Sequence, residues 1–123
     1  MSGNSIILDT NIVLYLLSGD ETVADFLNDK TVFLSFISEL ELLGYKGIST
    51  GDLSKIKDLL ADSTIIDINS EIKRIVIEIR KNKRLKLPDA IIAATSRYLD
   101  IPFMTSDKNL TKLTGINILF YDK

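Results

Sequence analysis

The sequence predicts an α/β fold in which a mostly parallel central sheet of four to five strands is flanked by helices. Short segments rich in β-branched and aromatic residues alternate with longer segments of helical periodicity along the 123 residues. Strands that alternate with helices build a parallel sheet that is covered on both faces. Hydrophobic residues make up 46% of the chain, which is enough for one core without disulfide bonds. We therefore expect a single domain over residues 1–123.

The predicted strands are four or five residues long and consist mainly of β-branched, aliphatic or aromatic side chains. They are residues 5–8, 31–35, 64–68, 102–106 and 117–121. Such short apolar runs are typical of strands that are buried in a parallel sheet. The sequence thus provides five candidates for the central sheet.

Helical patterns occupy the segments between these strands. They are residues 10–17, 20–28, 52–61, 70–84, 88–99 and 108–113, with another helix within 35–45. The clearest pattern lies in 70–84, where apolar residues recur at the i, i+3, i+4 and i+7 positions, at Ile72, Ile75, Val76 and Ile79. Pro88 is expected at the first position of its helix, where proline is well tolerated.

The composition restricts the chemistry that is open to this protein. The chain contains no cysteine, which excludes disulfide bonds, thiolate catalysis and a cysteine-based zinc site. It contains no histidine either, which removes the commonest general base and transition-metal ligand. Acid–base or metal chemistry must therefore use carboxylates, lysines, hydroxyl groups or bound water. Because the net charge is −2, a nucleic-acid partner would need a local basic patch.

The hydrophobic pattern favours a protein outside the membrane. No apolar run approaches the roughly 20 residues that a helix needs to span a bilayer. The first apolar run lacks the basic leader and the small-residue cleavage site of a signal peptide. We therefore expect no membrane association and a cytoplasmic location.

Two carboxylates follow predicted strands. Asp9 comes directly after the first strand and Asp107 follows the fourth. Because ligands of parallel sheets bind beyond the carboxyl ends of the strands, both residues are expected at one functional edge. Each also has a purely structural interpretation, since aspartate is among the best helix N-caps and is common in turns.

Two further acidic positions lie on predicted helices. Glu39 and Glu41 fall on opposite flanks of the apolar face of their helix, so helix geometry does not choose between them. Ser38 and Glu41 also match the spacing of a capping box. Asp89 lies in the first turn of its helix, where the helix dipole alone favours an acid. The residues 90–94 that follow are almost all apolar, which indicates a buried helix and an Asp89 that faces a cleft.

Four carboxylates at one edge of a sheet would repel one another. Such clusters persist mainly where a cation lies among them. Oxygen ligands alone favour Mg²⁺ or Mn²⁺. The sequence therefore predicts a divalent-metal site.

Four segments resemble, in order and spacing, the motifs of PIN-domain ribonucleases, and the nearest branch is the VapC type, the toxin half of toxin–antitoxin pairs. The segments are ILDTNIVLYLL, SFISELELLGY, KLPDAIIAATS and MTSDKNL. The resemblance covers essentially the whole chain and implies a three-layer PIN-like fold. It implies a metal site formed by Asp9, Glu41, Asp89 and Asp107, supported by Asn11 and by Thr105 or Ser106. It also selects Glu41 over Glu39, although the glycine usual just beyond this glutamate is displaced to Gly44 or Gly47.

The resemblance further implies a mechanism and partners. Mg²⁺ or Mn²⁺, with one ion or two, would activate a water molecule that attacks a phosphodiester of RNA. Glu41 would be either a ligand or the base that orients this water. A cognate antitoxin protein and a homodimer are also implied.

A basic segment, RKNKRLK at 80–86, precedes Asp89. Its basic residues are Arg80, Lys81, Lys83, Arg84 and Lys86. The segment could be a solvated helix end whose cations complement the helix dipole. It could equally form a track that binds the phosphates of RNA.

Three other functions remain possible from the residues alone. A receiver domain needs paired acids after the first strand, where only Asp9 is present; its phosphoacceptor would be Asp67, and no lysine ends the fifth strand. A haloacid-dehalogenase-like phosphatase needs Asp-x-Asp, and Asn11 replaces the second aspartate. A non-catalytic PIN-like scaffold would only bind a partner, but the four intact acids favour an enzyme.

Overall fold

A computed structural model describes residues 4–123, which form one five-stranded sheet and the helices that cover it. The strands are β1 (Ser5–Leu8), β2 (Thr31–Ser35), β3 (Thr64–Ile66), β4 (Phe103–Thr105) and β5 (Ile118–Phe120). The α-helices are α1 (Thr10–Leu17), α2 (Glu21–Leu27), α3 (Phe36–Leu43), α4 (Thr50–Asp62), α5 (Ser70–Asn82) and α6 (Leu87–Leu99). A short 3-10 helix, Lys108–Lys112, precedes β5.

The sheet has the strand order β3-β2-β1-β4-β5, and every neighbouring pair is parallel. The predicted α/β fold with a parallel sheet is therefore confirmed. Because β1 lies at the centre, Ile7 pairs with Phe33 on one side and with Phe103 on the other. This position places the carboxyl end of β1 between those of β2 and β4.

Hydrophobic side chains cover both faces of the sheet, which gives the molecule three layers. Along β1, Ile7 packs into the cluster formed with α5 and α6, whereas Ile6 and Leu8 join the opposite cluster. The opposite cluster contains buried residues of α1, α2 and α4. The alternation follows from the two-residue period of a strand. The predicted apolar stripe of α5 is buried as expected, at Ile72, Ile75, Val76 and Ile79.

Several predicted boundaries are wrong. The last three strands are three residues long, because their hydrogen-bonded register extends over three pairs at most. Helix α4 is longer than predicted and α5 ends two residues earlier, at Asn82. Helix α6 begins at Leu87, so Pro88 occupies its second position. The last helical segment is a 3-10 helix that ends at Lys112.

The capping-box interpretation of Ser38 and Glu41 is also wrong. Helix α3 begins at Phe36, and Ser35 is its N-cap, whose hydroxyl accepts a hydrogen bond from the Ile37 backbone N–H at 3.1 Å. Ser38 is therefore already inside the helix, where it is fully buried. Its hydroxyl is available for a contact outside α3.

Over residues 4–123, no helix is both long and apolar enough to cross a bilayer.

Candidate functional site

The carboxyl ends of β1 and β4 place two acids side by side. Asp9 directly follows β1, and its backbone N–H donates to the Met104 carbonyl of β4 at 2.9 Å. Asp107 follows β4 by two residues. Helix α3 contributes Glu41 to the same edge, and the first turn of α6 contributes Asp89. The structure thus brings all four predicted carboxylates to one place.

These acids line a cleft of about 380 Å³. Its other lining residues are Thr10, Asn11, Leu14, Tyr45, Lys86 and Pro88. Asn11, one of the predicted supporting groups, is exposed at the cleft. Asp67 follows β3, two strands away from β1, and is not among the residues that line the cleft. Of the three described aspartates that follow strands β1, β3 and β4, only Asp9 and Asp107, at the ends of the neighbouring strands β1 and β4, line the cleft.

Asp9 is buried and both of its carboxylate oxygens are occupied. One oxygen, Oδ1, accepts from the Thr10 backbone N–H at 2.9 Å, which makes Asp9 the N-cap of α1. The other, Oδ2, accepts from the Thr105 hydroxyl at 2.7 Å. Only 7% of Asp9 is exposed to solvent. The helix-cap interpretation of Asp9 is therefore confirmed, and the same residue also lines the cleft.

Burial and mutual repulsion perturb two of the acids. Burial raises the pKa of Asp9, the hydrogen bonds from Thr105 and Thr10 oppose this, and the charges of Asp107 and Glu41 add to it. The pKa of Asp89 is likewise raised, first by burial and then by the charges of the other acids, whereas the Lys86 cation lowers it. A cation in the cleft would relieve this repulsion.

Of the two predicted hydroxyl residues at the end of β4, Thr105 is the one that contacts Asp9 and Asp107. It is fully buried, donates to Asp9, and accepts from the Asp107 backbone N–H at 3.1 Å. The Ser106 hydroxyl instead lies 3.3 Å from the Tyr15 hydroxyl. Of the two alternatives that the sequence offered, the structure places Thr105 between the strand-end acids.

Glu41 is held by a contact that the sequence analysis missed. The Thr10 hydroxyl donates to Glu41 Oε1 at 2.7 Å and lies 2.9 Å from the Ser38 hydroxyl. Because the single Thr10 proton is used on Glu41, Ser38 is the donor in the second contact. Ser38 and Glu41 are three residues apart and therefore share a helix face. This spacing is the signal in the sequence for the contact, and the capping box is the wrong interpretation of it.

The donor set of the cleft fits Mg²⁺ or Mn²⁺, since it offers only carboxylate, hydroxyl and amide oxygens. Within residues 4–123, no three acids lie close enough together to hold one ion as they are positioned. Two of these carboxylates could still hold an ion whose remaining ligands are water. Such partial hydration is typical of Mg²⁺ in proteins.

The basic segment divides into two parts. Lys86 lines the cleft beside Asp89. Arg80 and Lys81 lie in the last turn of α5, and Lys83 and Arg84 lie in the connection to α6. These four side chains are exposed and are not among the residues that line the cleft.

Replacing Thr105 with valine is expected to raise the pKa of Asp9 further and to destabilise the fold by about 1–3 kcal/mol. Valine keeps the shape of threonine but leaves Asp9 Oδ2 without its donor and the Asp107 N–H without its acceptor. Carbon-detected NMR titration of the Asp9 carboxyl measures the shift, and thermal melting measures the stability. Thr105→Ser retains the hydroxyl and should behave like the wild type. Identical Asp9 titrations in the valine and serine variants would exclude this role.

Comparison with known proteins agrees with the fold and the motifs. A family model described as PIN domain matches residues 6–116. Similar solved structures include a toxin–antitoxin complex from Klebsiella pneumoniae, with 27% identity, 93% coverage of this chain and 95% of that chain, and a TM-score of 0.79. VapBC2 from Rickettsia felis bound to a DNA fragment from their promoter is 20% identical, with 96% coverage of this chain, 99% of that chain and a TM-score of 0.82. FitAcB from Neisseria gonorrhoeae is 22% identical, with 94% coverage of this chain, 96% of that chain and a TM-score of 0.78.

The search among curated proteins gives no match. The family model nevertheless spans both strand-end acids, Glu41, Asp89 and all but the ends of the chain. The resemblance drawn from the four sequence motifs is thereby confirmed, and the chain belongs to the PIN domain family.

Proposed function

We propose that this protein is a divalent-metal-dependent ribonuclease and the VapC-type toxin of a type II toxin–antitoxin pair, with residues 1–123 acting as one nuclease domain. The observation that carries the proposal is the cleft at the carboxyl end of β1. Four carboxylates from four separate segments of the chain line this cleft. PIN domains are generally nucleases that use divalent metal ions. An acidic cleft without histidine or cysteine suits this chemistry.

In this proposal the acids have different tasks. Asp9 and Asp89 would hold Mg²⁺ or Mn²⁺, and Asp107 and Glu41 would complete the site directly or through water. The ion, when bound, supplies positive charge at the phosphate and lowers the pKa of a coordinated water. Thr105 fixes the orientation of Asp9 through its hydrogen bond, and Thr10 does the same for Glu41. Glu41 is exposed at the cleft and could also accept the proton of the attacking water.

The alternatives have less support. A receiver domain would need a second acid beside Asp9 and would use Asp67, which is not among the residues that line the cleft. A haloacid-dehalogenase-like phosphatase would need an acid where Asn11 stands. A scaffold that only binds a partner would have no use for a cleft lined by four acids, two of which have pKa values raised first by burial and then by the charges of the other acids.

The relatives suggest the partners. The Klebsiella pneumoniae structure is a toxin–antitoxin complex, and the Rickettsia felis and Neisseria gonorrhoeae structures are VapBC2 and FitAcB. We propose that this chain likewise binds a cognate antitoxin protein and forms a homodimer. A small neighbouring gene that encodes a DNA-binding N-terminus and a disordered tail would support the antitoxin pairing.

Purified protein is expected to cleave RNA in Mg²⁺ or Mn²⁺ and to lose this activity in EDTA. The test incubates structured and single-stranded RNA with metal, with EDTA, and with metal restored after EDTA. Because a contaminating ribonuclease would also give cleavage, the Asp89→Asn variant purified in parallel is the control. Equal cleavage in Mg²⁺ and in EDTA would contradict the proposal. Turnover of a small phosphomonoester, or phosphorylation of Asp67, would instead indicate the phosphatase or the receiver.

A further inference from the structure

One cation lines the acidic cleft. Of the residues that line it in the described part of the chain, Lys86 alone is basic. The other four basic residues of the segment 80–86 lie outside the cleft. Lys86 therefore differs in position from its neighbours, although the sequence groups all five together.

The fold fixes the backbone of Lys86 and leaves its ammonium group unused. Lys86 is the N-cap of α6, and its carbonyl accepts from the Ala90 N–H at 3.0 Å. Its side chain makes no capping hydrogen bond and is exposed. No salt bridge involves it within residues 4–123. Its charge nevertheless acts on Asp89, which lies three residues further along the same helix.

A phosphodiester that enters this cleft meets strong negative charge. Four ionised carboxylates exceed the charge of one divalent ion, so the phosphate would still be repelled after the ion has bound. A lysine in the cleft wall offsets part of this repulsion. During hydrolysis the charge on the phosphate oxygens increases, so a fixed cation stabilises the transition state more than the ground state.

We propose that the Lys86 ammonium pairs with a non-bridging oxygen of the phosphate that is cleaved, and that Lys86 is a catalytic residue of this site. The inference rests on the proposed ribonuclease function. It separates Lys86 from Arg80, Lys81, Lys83 and Arg84, which would contact only phosphates outside the cleft.

The first measurement is binding without cleavage. A fluorescent single-stranded RNA oligonucleotide is titrated in Ca²⁺ with wild type, Lys86→Ala, Lys86→Arg and Lys57→Ala over a series of salt concentrations. Lys57 is an exposed lysine of α4 and serves as a control with the same change of charge. Lys86→Ala should reduce the slope of log Kd against log salt by roughly 0.7, the value for one phosphate contact on a single strand. The arginine variant and the Lys57 control should keep the wild-type slope. An unchanged slope in Lys86→Ala would overturn the phosphate contact.

The second measurement is single-turnover cleavage at saturating RNA in Mg²⁺. Lys86→Ala should lower the rate at least about tenfold, Lys86→Arg should recover it to within about threefold, and Lys57→Ala should match the wild type. Mn²⁺ affinity of Lys86→Ala, measured by calorimetry, should be unchanged or tighter, since a repelling charge has been removed. A wild-type rate of Lys86→Ala at saturating RNA, or weaker Mn²⁺ binding by this variant, would overturn the catalytic role. If the wild type does not cleave RNA at all, the proposed function fails, and the binding measurement still decides whether Lys86 contacts phosphate.

Discussion

Asp9→Asn and Asp89→Asn are each expected to lower metal-dependent RNA cleavage at least about tenfold, which corresponds to roughly 1.4 kcal/mol in the activation free energy. Each change removes a negative charge from the cleft and keeps the shape of the side chain. The fold should survive in the Asp9 variant. Asparagine can still accept from the Thr10 N–H through its amide oxygen and can donate its amide to the Thr105 hydroxyl.

Asp67→Asn is the matched control for this experiment. Asp67 also follows a parallel strand at the same edge of the sheet but is not among the residues that line the cleft. Its variant should cleave RNA at the wild-type rate, and circular dichroism should be the same for all three variants. Retention of more than about a tenth of the rate in Asp9→Asn or Asp89→Asn would show that the charge of that residue is not needed for cleavage.

Mg²⁺ or Mn²⁺ is expected to stabilise the wild type by about 2.7 kcal/mol at a hundredfold excess over its dissociation constant. For a domain of this size, that is a rise of roughly 10 °C in melting temperature. The Asp9→Asn protein should gain much less, because it lacks one of the charges that would attract the ion. Equal shifts in the two proteins at pH 7, or no shift in either, would contradict a metal site at Asp9.

In the absence of metal, the stability measured by the same melting curves should also depend on pH. Asp9 and Asp89 have folded-state pKa values that are raised above the ordinary value of 3.8. The stability from such groups is fully present below the unfolded pKa and is lost as pH rises through the folded pKa. Metal-free wild type should therefore lose this contribution towards neutral pH, and Asp9→Asn should recover part of it.

The pKa of Asp20 is lowered rather than raised, so Asp20 changes the pH dependence of stability in the opposite direction. The effect of Asp9 must therefore be measured as a difference between variant and wild type. Hydrogen bonds from Lys123 and Tyr121 hold the pKa of Asp20 at about 2. Its contribution to stability is present above the unfolded pKa and is lost as pH falls towards 2. The informative quantity is thus the stability of Asp9→Asn minus that of the wild type between about pH 4 and pH 7. The contribution of Asp20 is the same in both proteins and cancels in this difference.

The sequence by itself determined the fold class and the edge at which the site lies. Alternating strands and helices require a parallel sheet, and a parallel sheet brings the carboxyl ends of its strands together. Asp9 and Asp107 were therefore predictable as neighbours although 98 positions separate them along the chain. The apolar stripe of α5 was predictable for a similar reason, since helical periodicity alone determines which residues face the sheet.

Only the tertiary structure decided which groups touch. Glu39 and Glu41 lie symmetrically on their helix, and it is the packing of α3 against α1 that brings Glu41 to the Thr10 hydroxyl. Thr105 and Ser106 are adjacent hydroxyl residues at the end of β4, but Thr105 contacts Asp9 whereas Ser106 contacts Tyr15. The basic segment shows the same division, because the start of α6 places Lys86 alone of its five cations in the cleft. Each of these contacts joins residues from separate elements of the chain. Local periodicity determines which face of an element a residue occupies, whereas the neighbour that it meets depends on how the elements pack.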